Sequence, residues 1–223
     1  MNDVKIMRIR IYFCKNEAMR FTGHLDLHKT WERIFRRAGL PLAYSQGFHP
    51  QPRLNLACAL PLGFTSQAEI LDAWLEEFMS LEDVQAALAN AAPPGITLEK
   101  IEAIDLRVPA LQTQVCSSEY RITFLTPVAE LDQKVNDILA AKSILRRRRD
   151  RNYDLRPLIE DLKIEDPKIE DLRCLPDTQE GYACLTTRLT AREGATGRPE
   201  ELIDALGVQP SQTRVHRMKL FFL

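Results

Sequence analysis

Lys29, Arg33, Arg36 and Arg37 stand at i, i+4, i+7 and i+8, a spacing that puts four cations on one stripe of a helix away from Trp31 and Phe35. A stripe of this kind can follow a phosphate backbone. A solvated helix face that offsets acidic neighbours carries the same pattern, and both readings stand. Next comes the loop AYSQGFHPQPR, from Ala43 to Arg53. Tyr44 offers a stacking face, and Gln46, His49, Gln51 and Arg53 offer hydrogen bonds. Gly47 permits a tight turn, while Pro50 and Pro52 stiffen the chain. A stiff loop loses little entropy on binding, so this mixture suits a nucleobase or another flat polar ligand. Phe48 is expected to pack inward; Tyr44 is open between stacking and core. His24 and His28, at i and i+4, have a spacing that can hold one metal. No third ligand follows at a recognisable spacing, so the pair is read as structural or capping, and no metal or other cofactor is assigned. Imidazole also titrates near neutral pH, so His24, His28 or His49 with Tyr44 could cleave RNA by acid–base chemistry.

The elements that must position these groups follow from periodicity. Lys5–Phe13 alternates, with Ile9, Ile11 and Phe13 against Arg8, Arg10 and Tyr12, as a half-buried strand does. His24–Ala38 is helical, with Leu27, Trp31, Ile34 and Phe35 on one face, Thr22 as N-cap, and Gly39 and Pro41 as stop. Leu54–Leu60 and Glu69–Phe78 read as strands, Ser80-x-x-Asp83 opens a second helix, and Ile96–Leu106 is a further strand. The order is β-α-β-β-α-β. The second half repeats it: strand Glu119–Leu125, helix Glu130–Ala141, strand Tyr182–Ala191, helix Arg198–Leu206 and strand Arg214–Phe222. The fold class is therefore α+β, two ferredoxin-like β-α-β-β-α-β units in tandem. The first unit is assigned to 1–108. The second, 118–223, carries a charged, irregular insertion at 143–177. That insertion holds a second basic run, Arg146–Arg149 with Arg151, and the tandem KIED pair at Lys163–Asp166 and Lys168–Asp171, read as solvated loop or edge ribbon.

The chain has 223 residues, 45% of them hydrophobic and 27% charged, with a formal net charge of -1. It is not a polycation, but its charge is segregated. The first 60 residues are rich in Lys and Arg, whereas 61–99 are acidic, so a basic face is expected. The five cysteines, Cys14, Cys58, Cys116, Cys174 and Cys184, are odd in number and widely spaced. They read as reduced thiols without disulfides. The N-terminus has no secretory apolar stretch and no run approaches a membrane span, so a cytoplasmic place and no membrane partner are expected.

The segment 20–63 resembles the opening signature of a bacterial radical-SAM-associated domain family of unknown function. The residues that carry the likeness are H-L-D-L at His24–Leu27, E-R-x-x-R-R-A at Glu32–Ala38, L-P-x-x-Y-S-x-G-F at Leu40–Phe48, and the P-x-P-R-L and A-L-P-L-G that follow. Asp154–Ile159 is similar to a second, shorter motif of that family, which adds Arg156 to the candidate binding residues. The family occurs as a separate chain and as the C-terminal part of larger radical-SAM proteins with a region assigned to cobalamin. The resemblance implies a radical-SAM enzyme as partner. A radical-SAM cluster needs closely spaced C-x-x-x-C-x-x-C thiolates, which these cysteines cannot supply, so the chain is not itself the radical enzyme. The expected function is a non-catalytic accessory or substrate-presenting protein holding RNA or a ribonucleoprotein. The alternatives are a metal-independent RNA-processing endonuclease and a protein-interaction module without nucleic-acid binding.

Overall fold

The computed structural model describes residues 6–148, 150–165, 183–192 and 194–223. The chain divides into two compact units, Met1–Val115 and Cys116–Leu223. Each has the ferredoxin-like arrangement, so the α+β tandem is the fold of this protein.

In the first unit β1 (Met7–Lys15) leads through a 3₁₀ turn into α1 (His24–Arg37). Then come β2 (Leu54–Leu56), β3 (Thr65–Leu75), α2 (Leu81–Ala91), β4 (Ile96–Ile104) and the single turn α3 (Leu111–Gln114). β3 pairs antiparallel with β2 on one edge and β1 on the other, and β1 pairs antiparallel with β4. The resulting order, β4-β1-β3-β2, is that of a ferredoxin-like sheet. Alternation along β1 puts Ile9, Ile11 and Phe13 into the core with Leu27, Trp31, Ile34 and Phe35 of α1. Phe13 meets Trp31 edge-on at 4.8 Å between ring centroids. The residue preceding α1 is Gly23, with no side-chain cap, so Thr22 does not serve as N-cap; its hydroxyl turns back to Met19. Ser80 does cap α2, accepting from the Asp83 N–H at 3.3 Å.

The second unit contains β5 (Val115–Phe124), α4 (Leu131–Ala140), the hairpin β6 (Leu145–Arg148) and β7 (Arg151–Asp154), and β8 (Ile159–Glu165). It continues with β9 (Cys184–Arg192), β10 (Ala195–Thr196), α5 (Pro199–Ala205) and β11 (Thr213–Phe222). The sheet order is β8-β9-β5-β11, with β10 also on β9. The stretch read as irregular from sequence therefore holds regular structure: a hairpin, and in β8 the second strand of the unit. A bulge between Ile159 and Asp161 breaks the alternation of β8, so Ile159 and Leu162, three apart, are its buried apolar residues. The second KIED repeat, Cys174 and Arg149 lie outside the described residues. Cys14, Cys58, Cys116 and Cys184 are free thiols. Among the described residues no helix is long and apolar enough to cross a membrane.

Candidate functional site

The loop 43–53 is a narrow hairpin growing out of the first unit's sheet. The Ala43 N–H donates to the Trp74 carbonyl at 2.7 Å, and the Trp74 N–H donates to the Arg53 carbonyl at 3.2 Å. The Arg53 N–H donates to the Ala43 carbonyl at 2.9 Å, Tyr44 bridges Pro52, and the Ser45 N–H reaches the Gln51 carbonyl at 2.8 Å. The Gln51 N–H closes the ring on Ser45 Oγ at 2.9 Å. The buried Leu42, Ala43 and Leu54 fix its base. The tip, residues 46–50, is exposed, and Gly47 turns it at φ 129°, a conformation that side-chain-bearing residues avoid.

This construction corrects the expectation for Phe48. The ring does not pack inward; it is fully exposed at the tip. The two rungs at Tyr44–Pro52 and Ser45–Gln51 hold the strands so close that the turn beyond them has no apolar surface to fold onto. Tyr44 is 44% exposed. Gln46, His49 and Gln51 are exposed beside Phe48, so the hairpin brings these candidates together on one projection. Arg53 stands apart from them. Its guanidinium lies over the Trp74 ring at 4.8 Å, and Arg8 lies over the same ring at 5.0 Å. Trp74 thus holds Arg53 by cation–π attraction, a support that sequence reading missed because Arg53 and Trp74 are joined only by strand pairing.

Behind Trp74 is a buried ion cluster. Arg8 donates to Asp72 from Nε at 3.0 Å and from Nη2 at 2.6 Å, and Arg10 donates to it from Nε at 2.7 Å and from Nη2 at 3.0 Å. Asp72 and the arginines lie on the sheet face that alternation had assigned to solvent, yet all three are buried. The Asp72 carboxylate raises the Arg10 pKa further, so its charge is permanent. Arg8 also donates to the carbonyls of Val108 at 2.5 Å and Pro109 at 3.0 Å, tying the end of the unit to β1.

On α1, Lys29, Arg33, Arg36 and Arg37 are all exposed. Arg37 donates to the Ala91 carbonyl at the end of α2 at 2.7 Å and is partly spent on that helix terminus. Among the described residues Lys29, Arg33 and Arg36 have no ion-pair or side-chain hydrogen-bond partner, which leaves three unneutralised cations on one stripe. His28 Nε2 donates to the Leu54 carbonyl at 3.2 Å and pins α1 to β2. That bond commits Nε2 of His28 to the fold and leaves only Nδ1 of the ring able to ligate. Among the described residues no three His, Cys, Asp or Glu side chains converge on a metal position. Arg156 sits in the second unit, outside the hairpin and the stripe. It donates to the carbonyls of Leu139 at 3.1 Å and Ile159 at 3.2 Å, joining the end of α4 to the start of β8. These bonds commit two of its nitrogens to the fold.

A family model described as "Uncharacterized protein conserved in bacteria (DUF2344)" matches residues 8–194. The chain belongs to this family. The matched stretch runs from β1 to the β9–β10 turn and includes α1, the 43–53 hairpin and the Arg156 motif. None of the curated proteins matches the sequence. Among solved structures the chain is similar to the small subunit of acetolactate synthase from Thermotoga maritima. That match has 11% identity and a TM-score of 0.24, and covers 99% of this chain and 97% of that one. At that score it carries no argument; the sheet orders establish the fold.

Proposed function

We propose that this family member is a non-catalytic accessory protein of the cytoplasm that presents an RNA or ribonucleoprotein substrate to a radical-SAM enzyme. Its grip is the α1 stripe together with the 43–53 hairpin. The observation that carries the reading is the conjunction of Lys29, Arg33 and Arg36, exposed and unneutralised, with a rigid projection ending in a fully exposed Phe48. Such cations release counterions from phosphates, and an aromatic ring held in water gains most by stacking a base. The enzyme partner rests on the likeness of the 20–63 signature to radical-SAM-associated domains. The endonuclease alternative has no support of this kind, because His28 is bonded to a backbone carbonyl and His49 stands on an exposed tip.

Filter binding of RNA across a salt series tests the reading. The double variant Lys29→Ala, Arg33→Ala should weaken binding and flatten the log–log salt slope by about 1–2. It should leave the melting temperature unchanged, because exposed helix charges contribute little to folding. Phe48→Ala should cost about 1–3 kcal/mol of binding with the slope unaltered. A wild-type protein that binds no RNA at low salt overturns the proposal. The protein-docking reading then takes its place, favoured by Phe21, Leu25 and Leu62, which are 72%, 75% and 62% exposed. Arg20 lies over the Phe21 ring at 4.6 Å and bonds the Gly63 carbonyl, next to Leu62, at 2.9 Å.

A further inference from the structure

We propose that the second unit binds a nucleotide di- or triphosphate in the cleft between the β6–β7 hairpin and the turn leading into α5. This cleft of about 780 Å³ is lined by Arg148, Arg151, Tyr153, Leu158 and Arg198 and by the backbone of Gly194–Thr196. It lies within the usual size range of small-molecule sites, and a single inorganic phosphate would leave most of it empty.

Strand register concentrates positive charge here. Arg148 is directly opposite Arg151, and Arg146 opposite Tyr153, so these four side chains share one face of the ribbon. Like charges directly opposite destabilise a ladder unless an anion lies between them. Asp150 lines the cleft too, fully exposed and 4.0 Å from Arg147, while Asp204 pairs with Arg146 at 3.3 Å. Asp154 lines the cleft but accepts from the N–H groups of Ile144 at 2.8 Å and Arg156 at 3.0 Å. Among the described residues Arg148, Arg151 and Arg198 have no ion-pair partner. Three guanidinium forks facing one cleft match the paired oxygens of a phosphate chain, which each can grip with two donors.

The cleft also offers an organic ligand a ring to lie on. The Tyr153 hydroxyl is buried beside the Glu201 carboxylate, which anchors the ring. Tyr153 and Leu158, both half-buried, line the cleft and give a wall on which a base can lie. Gly194, at φ 78° and with open space where a Cβ would stand, exposes the backbone at the cleft rim. The proposal does not depend on RNA binding by α1, because no residue of the first unit takes part.

Isothermal titration of the whole chain with ADP, pyrophosphate and adenosine at low salt tests it. ADP should bind saturably, pyrophosphate more weakly, and adenosine far more weakly than ADP. The double variant Arg148→Ala, Arg151→Ala should bind ADP about 100-fold more weakly, about 10-fold for each lost charge-assisted contact. Its unliganded melting temperature should be unchanged or higher, because a repulsion is removed. Arg198→Lys keeps the charge without the fork and should cost about 10-fold. Lys29→Ala with Arg33→Ala should bind ADP like wild type, which separates this site from the proposed RNA surface. The proposal is overturned if ADP gives no saturable heat at millimolar concentration, if the Arg148/Arg151 variant binds like wild type, or if adenosine binds as well as ADP. Binding of a 5′-phosphorylated oligonucleotide through these arginines without binding of ADP also overturns it.

Discussion

Asp72→Asn should be among the most damaging isosteric changes in the first unit. Asp72 is completely buried, and Arg8 and Arg10 are only 3% and 9% exposed. The carboxylate accepts four guanidinium contacts of 2.6–3.0 Å. The amide keeps the volume and one acceptor oxygen, so the substitution measures charge rather than packing. It leaves Arg8 out of water with no counter-charge and Arg10 with only the partly exposed Glu102 opposite it on β4, and removing one side of a buried ion pair costs about 3–5 kcal/mol. Arg8 retains the Val108 and Pro109 carbonyls, which places the expected loss at the lower end, about 3–4 kcal/mol. That is a large share of the 5–15 kcal/mol, roughly, that holds a typical domain together. Arg10→Met is the control: it leaves Arg8 and Asp72 as a neutral pair and should cost about 2 kcal/mol, the scale of hydrogen bonds to a charged group. Urea unfolding with an unchanged m-value reads both losses. A loss below about 1 kcal/mol for Asp72→Asn, or equal losses in the two variants, would refute the reasoning, because either result means that water already screens the cluster.

Tyr12 donates to Glu102 at 2.6 Å, and burial followed by that carboxylate pushes its phenol up to about 12. Because the folded value exceeds the ordinary value of about 10, the neutral phenol's contribution is full below about pH 10 and is lost as pH climbs toward 12. Ultraviolet titration of the native protein should show a late-ionising tyrosine that is missing in Tyr12→Phe. Gly47→Ala should strain the hairpin tip by about 1–3 kcal/mol, since the backbone there is a glycine conformation. Hydrogen exchange should show faster opening of the Ser45 and Gln51 amides in that variant, with the rest of the sheet unaffected.

Period-2 alternation in β1 and the apolar face of α1 are local signals, which is why strand, helix and the β-α-β-β-α-β order of the first unit can be read from the residues in a row. β8 escaped the same reading for a local reason too. Its bulge converts the expected spacing of two between buried residues into three, and the charges of Ile159–Glu165 then look like loop. The β6–β7 hairpin was hidden by an arginine run whose composition argues for solvent rather than for pairing. Arg8 and Arg10 were placed correctly on the face opposite Ile9 and Ile11, but their burial depends on Asp72, 62 residues beyond Arg10. No periodicity records a partner that strand pairing supplies. For the candidate site, the sequence by itself determined which groups cluster: the α1 cations by helical spacing and the hairpin residues by their Gly and Pro punctuation. Only the tertiary structure decided which of them are available. It spent Arg37 on the end of α2, His28 on Leu54 and Arg156 on Leu139 and Ile159, laid Arg53 on Trp74, and left Phe48 in water. The physical reason is that a side chain's chemistry is fixed by its type, whereas its freedom to bind depends on whether a distant carbonyl, ring or carboxylate has already claimed it.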